Sequence, residues 1–166
     1  RVPANVDRAL AVCPPIDLVR CVRQMQTGWC RWYDKFFVRL LMQRVSNQLQ
    51  SMPDMPLPEG WPRRHGRAGG ASPSVSAWRP PRTLEEFDDR FTAPLSGYRS
   101  ALHYYERCSS KQFLTAIRVP TLVVTAADDP IIPASQFAGL TWSPTTRLLQ
   151  AAGGGHMGFQ ARLGRD

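Results

Sequence analysis

The side chains with most chemistry to offer stand at two places late in the sequence. The apolar, β-branched run Pro120-Thr-Leu-Val-Val-Thr-Ala-Ala127 ends on Asp128 and Asp129, and the run Thr146-Arg-Leu-Leu-Gln-Ala151 leads through Gly153, Gly154 and Gly155 to His156. A carboxylate and an imidazole held together are two members of a hydrolytic triad: the acid fixes the tautomer and orientation of the histidine, which takes a proton from a nucleophile. The three glycines can adopt backbone conformations closed to other residues and so let the loop turn sharply. Pro130 and Pro133 stiffen the turn after Asp129. Taken singly, the aspartates read as a helix cap and His156 as a surface histidine. What favours chemistry is that both groups follow strand-like runs.

A nucleophile to complete the set is missing. A triad serine presented on a tight strand-to-helix turn has the form GxSxG, and the nearest stretch here, Gly70-Ala-Ser-Pro-Ser74, lacks the second glycine and any preceding strand. Cys13, Cys21, Cys30 and Cys108 form no CxxC pair and have no histidine at metal-ligand spacing. They are expected to be reduced and non-catalytic, with Cys13, near a strand end, the first suspect if a thiol acts. No cofactor or metal is implied.

The elements that must position the pair follow from periodicity. Pro120 to Ala127 and Thr146 to Ala151 read as strands, with a short helix from Ala134 to Leu140 between them; such a βαβ unit has a parallel sheet. Ligands of open parallel sheets bind outside the carboxyl ends of the strands, where Asp129 and His156 would both lie. Ala9 to Cys13 reads as a further buried parallel strand closed by Pro14 and Pro15, followed by a helix capped by Asp17 and stopped by Gly28. From Trp29 to Leu49 the spacing of Trp32, Phe36, Phe37, Leu40, Leu41, Val45 and Leu49 predicts a long amphipathic helix. Arg31, Asp34, Lys35 and Arg39 would form its wet face. Proline, glycine and arginine crowd residues 51–82, which predicts flexible loop with few core contacts. Order resumes at the capping box Thr83-Leu-Glu-Glu86 and in a helix from about Gly97 to Cys108.

Length and charge bound the rest. The 166 residues suit one domain. The net charge of +8 comes from scattered basic residues, nearly all arginine, with no helical stripe and no aromatic stacking signature, so no nucleic-acid partner is expected. No stretch approaches the roughly 20 apolar residues of a transmembrane segment, and no charged-then-apolar leader is visible. A cytoplasmic location is therefore expected.

The stretch from Pro120 to Pro133 resembles the acid-bearing strand of α/β-hydrolases, and Gly-Gly-Gly-His156-Met-Gly-Phe159 is similar to their histidine loop. Asp88, Gly97-Tyr98, Tyr104-Tyr105, Ser109, Ile117, Pro120 and Asp128-Asp129 resemble, in order and spacing, the signature of the YheT-like branch of that superfamily. The block Phe87 to Pro94 and the strand end Val12 to Asp17 are similar to it too, with His103 a departure on a helix surface. The resemblance covers nearly all of the chain except about residues 50–82. It implies an incomplete α/β-hydrolase fold, with C-terminal parallel strands, flanking helices and a helical cap-like region at 29–105. It selects Asp129 over Asp128 as the acid, since the acid commonly stands directly before the Pro-x-x-Pro turn, and His156 as the base. It would place the serine and the oxyanion-hole loop upstream of Arg1 and a last helix beyond Asp166. The parent activity would be hydrolysis of a small-molecule or lipid ester, with this chain inactive as given. The rival reading is a non-catalytic fragment or binding module with a basic surface.

Overall fold

The β-branched run at the centre of the last third forms the middle strand of a small sheet. In the computed structural model, which describes residues 5–62 and 78–159, Thr121–Ala126 (β2) lies between Ala9–Val12 (β1) and Thr146–Ala151 (β3), all parallel. The register pairs Leu10 with Leu122, and Val124 with both Val12 and Leu149. Side chains alternate across the sheet, so Val123 and Thr125 point to the buried face. There Val123 packs in a core with Cys13, Ile16, Cys21, Leu114, Ile132 and Phe137. The other face carries Leu10, Leu122 and Leu149, all exposed. β1 is therefore not the fully buried strand that its apolar run predicts. Among the described residues it is an edge strand, and Leu10 is 64% exposed.

The chain divides into two compact units, one formed by residues Arg1–Cys30 and Tyr105–Asp166 and the other by Arg31–Tyr104. The first holds the sheet. Its helix Leu18–Met25 (α1) is capped by Asp17, whose Oδ1 accepts from the Arg20 amide at 3.2 Å. Asp17 is buried and also receives the Lys111 ammonium at 2.7 Å, while its own amide donates to Gln136 Oε1 at 2.9 Å. Burial pushes this carboxyl up, but the Lys111 ammonium and the Arg20 amide outweigh it and hold it below the usual carboxylate range. Between β2 and β3 the predicted helix shrinks to one 3-10 turn, Ala134–Phe137, because Ala138 is already extended and Gly139 takes a φ of +68°.

The second unit corrects the reading of the long helix. Gly28–Cys30, still in the first unit, is a 3-10 turn, and the helix itself, Arg31–Ser51 (α2), buries Val38, Val45 and also Asp34, which was predicted on the wet face. Trp32, Phe36 and Leu40, predicted to face the core, are exposed, Trp32 by 77%. On the opposite side Asp34 Oδ1 accepts from the Leu84 amide at 2.7 Å, at the start of Leu84–Phe87 (α3). Val45, with Leu41 and Leu49 of the predicted stripe beside it, packs against Trp61 and Phe87. Burial pushes the Asp34 carboxyl up, against the lowering effect of the Leu84 amide.

Thr83 caps α3 as its capping box predicts, accepting from the Glu86 amide at 3.1 Å. The helical path continues through a π turn at Asp88–Thr92 into Ala93–Leu95 (α4). The next helix, Ala101–Cys108 (α5), starts later than predicted, after Gly97 at φ +77° and with Asp89 accepting from the Ala101 amide. Within 51–82, the described residues 52–62 and 78–82 hold no helix or strand. They do reach the core, against expectation: Trp61 is buried with Val45 and Phe87, and its ring lies 5.8 Å from Trp78 and 4.8 Å from Phe91. Residues 63–77, including Gly70 to Ser74, lie outside the described residues.

Candidate active site

At the carboxyl end of β2 the chain leaves the sheet and folds back over the Asp129 side chain. Oδ1 of Asp129 accepts from the amides of Ile131 at 2.8 Å and Ile132 at 2.9 Å, which locks the carboxylate into the turn that Pro130 and Pro133 stiffen. Its other oxygen, Oδ2, lies 3.0 Å from His156 Nδ1. The Asp129 side chain is fully buried and that of His156 is 32% exposed. Burial pushes the Asp129 carboxyl up, but the Ile132 amide, His156, the Ile131 amide and the Cys13 thiol together hold it below the usual range. The carboxylate is thus ionised at neutral pH and can only accept. His156 Nδ1 must be the donor, which leaves Nε2 of the neutral ring as an acceptor.

The loop after β3 makes this contact possible. Gly154 has a φ of +140°, and a Cβ placed there would meet Phe159 ring carbons at 2.7 and 2.9 Å. Gly155 follows at φ +53°, and its amide donates to Asp128 Oδ1 at 2.9 Å. Met157 takes a φ of +65°, and the Gly158 amide closes the turn on the Gly154 carbonyl at 2.9 Å. The adjacent aspartates divide the work: Asp128 ties the loop backbone, and Asp129 ties the imidazole. The sequence offered no sign of this role for Asp128.

A third group completes the cluster. Cys13 follows the last residue of β1, is buried, and takes a φ of +46°, while its amide donates to the Val124 carbonyl at 2.8 Å. A non-glycine residue in this region carries backbone strain. Its sulfur, an oxygen of Asp129 and a ring nitrogen of His156 all lie within 4.8 Å of one another. Burial pushes the Cys13 thiol up; the Met157 amide opposes this, and the Asp129 carboxylate, which accepts from the thiol, adds to it. The other cysteines stand apart. Cys21 is pushed up to about 12, chiefly by burial, and Cys30 donates to the Pro130 carbonyl at 3.1 Å. All four are free thiols.

The small parallel sheet with its flanking helices matches a part of the α/β-hydrolase fold, and the chain is related to the α/β-hydrolase superfamily. It is 30% identical over 159 residues to the Escherichia coli K12 protein named "Putative esterase YheT", with 93% of this chain matched to 41% of that protein. It is 28% identical to the medium-chain fatty acid ethyl ester synthase/esterase 2 of Saccharomyces cerevisiae, over 91% of this chain and 35% of the relative. Identity to the monoacylglycerol lipase of the same yeast is 29%, over 97% of this chain and 34% of the relative. The chain thus spans well under half the length of the curated relatives it matches. No family model and no solved structure matches it. Among the described residues, no helix is long and apolar enough to cross a membrane.

Proposed function

We propose that this chain supplies the acid, Asp129, and the base, His156, of the catalytic triad of a serine hydrolase acting on carboxylic esters. The observation that carries this reading is the 3.0 Å contact between His156 Nδ1 and the buried, ionised Asp129 at the ends of neighbouring parallel strands. In this geometry the carboxylate keeps the proton on Nδ1 and directs the Nε2 lone pair toward a nucleophile. His156 then acts as general base in acyl-enzyme formation and as general acid toward the leaving alcohol. Lipid or small-molecule esters are the substrate class, since the relatives named above are esterases and a monoacylglycerol lipase.

The nucleophile is a serine outside these 166 residues. Cys13 is a poor candidate for it: its thiol is pushed up and donates to the acid, so the base does not activate it. Without the serine, hydrolases of this mechanism lose about 10⁶-fold in rate, and each missing oxyanion donor costs roughly 10²–10³. The isolated chain should therefore hydrolyse p-nitrophenyl butyrate no faster than its His156→Ala variant. Turnover that the substitution abolishes would overturn the assignment of the nucleophile to residues beyond this chain.

A further inference from the structure

The same corner of the fold holds a donor set that the hydrolytic reading does not use as a set. We propose that Cys13, Asp129 and His156 form a binding site for a thiophilic divalent cation of the zinc class. A thiol sulfur, a carboxylate oxygen and an imidazole nitrogen are the three donor types zinc takes from proteins. Here they come from the carboxyl ends of three adjacent strands, with Cys13 after β1, Asp129 after β2 and His156 after β3. Their ligand atoms lie within 4.8 Å of one another, and the nitrogen and one oxygen are already 3.0 Å apart. Tetrahedral zinc needs about 3.3 Å between nitrogen and oxygen ligands and about 3.5 Å from sulfur to either. The existing pair needs to open by only a few tenths of an ångström, and the sulfur needs to close by at most about 1.3 Å.

Two features prepare the site. Cys13 and Asp129 are buried on rigid strand ends, with Cys13 held in its left-handed conformation by the bond from its amide to Val124. The Met157 amide faces the Cys13 sulfur, against burial and the Asp129 carboxylate, which push the thiol up until a metal replaces its proton. The third donor, the His156 ring, is 32% exposed, and a tetrahedral ion held by three protein donors takes a water in its fourth position. Sulfur and nitrogen donors select against magnesium and calcium, which require oxygen ligands. Binding exchanges the Cys13 S–H bond for a sulfur–metal bond and releases that proton to solvent, while the His156 proton moves from Nδ1 to Nε2 so that Nδ1 can ligate. The metal takes lone pairs that the acid–histidine contact uses, so it and the triad role exclude one another. The site stands on donor geometry alone, whether or not the triad assignment holds.

The test is titration of the untagged 166-residue chain near neutral pH, with zinc followed by calorimetry and cobalt followed by absorption. Zinc should bind at about one equivalent with release of a proton, and cobalt should give a near-ultraviolet thiolate charge-transfer band. Cys13→Ser should remove the band and, like His156→Ala, weaken zinc binding at least about tenfold, the loss typical of a disturbed metal site. Cys108→Ser, at the exposed cysteine, and His103→Ala should change neither. A band that survives Cys13→Ser, or zinc affinity equal in the wild type and His156→Ala, overturns the proposal, as does magnesium binding as tightly as zinc. Far-ultraviolet circular dichroism checks each variant; should Cys13→Ser not fold, His156→Ala, at the partly exposed ring, decides the matter alone.

Discussion

Replacing the three loop glycines one at a time by alanine should give three different penalties, because the structure gives each a different reason to lack a side chain. At Gly154 the φ of +140° is closed to L residues, at a cost of about 1–3 kcal/mol. A Cβ there would also stand 2.7 and 2.9 Å from the Phe159 ring, against the roughly 3.5–4.0 Å of a normal carbon contact. The ring must move about an ångström from the core it packs on, which adds about 1 kcal/mol or more. At Gly155 the φ of +53° is left-handed but the space is open, so alanine should cost only about 1–2 kcal/mol. At Gly153 there is no positive φ, and the nearest atom, Asp128 Oδ2, is at 3.6 Å, an ordinary contact. The effect there should stay within about 0.5 kcal/mol. Urea unfolding followed by circular dichroism measures the series. Gly154→Ala equal to Gly153→Ala, or Gly153→Ala the worst of the three, would refute the account of how this loop is shaped.

Asp17 should make stability depend on acidity. Its carboxyl lies below the usual range when folded, so its contribution is present above the ordinary value near 3.8 and is lost as pH falls through the depressed one. Asp17→Asn should flatten the acid limb of the stability profile between those two points and lower stability at neutral pH by about 1.5–3 kcal/mol, the worth of hydrogen bonds to a charged group; an unchanged acid limb would contradict the ion pair with Lys111. In the second unit, Trp61→Ala should cost about 3–5 kcal/mol in urea unfolding, as expected for a buried aromatic packed against Phe87 and Phe91. A loss below about 1 kcal/mol would show that the segment before residue 63 does not belong to the core.

Local signals in the sequence carried far where the cause was itself local. Thr146 to Ala151 is a strand with the predicted bounds, and Asp17 and Thr83 cap the helices that follow them, because a cap needs only a polar side chain within reach of the next turn. Apolar spacing in α2 held for Leu41, Val45 and Leu49 and missed for Trp32, Phe36 and Leu40. The predicted stripe is wider than the face that finds partners: Leu41, Val45 and Leu49 meet Trp61 and Phe87, and Asp34 accepts from Leu84 fifty residues away, contacts that spacing within the helix cannot foresee. Around the candidate site, strand ends told where Asp129 and His156 would lie. They could not tell that Asp128 anchors the Gly155 amide, or that Cys13 sits beside both groups, since those contacts depend on the sheet order and on positive φ at Cys13 and Met157. Trp61 was hidden in a proline-rich stretch whose composition says little about a single anchoring side chain.

The pairing of Asp129 with His156 is tested most directly by nitrogen and proton magnetic resonance of the His156 ring. The hydrogen on His156 Nδ1 should resonate far downfield. In Asp129→Asn the side-chain carbonyl must still accept from the Ile131 and Ile132 amides, so the amide nitrogen faces the ring and the proton moves to Nε2. Asp128→Asn, which can still accept from Gly155, should leave the ring signals unchanged. A downfield Nδ1 proton that persists in Asp129→Asn, or one that disappears in Asp128→Asn, would contradict the assignment of Asp129 as the partner that orients His156.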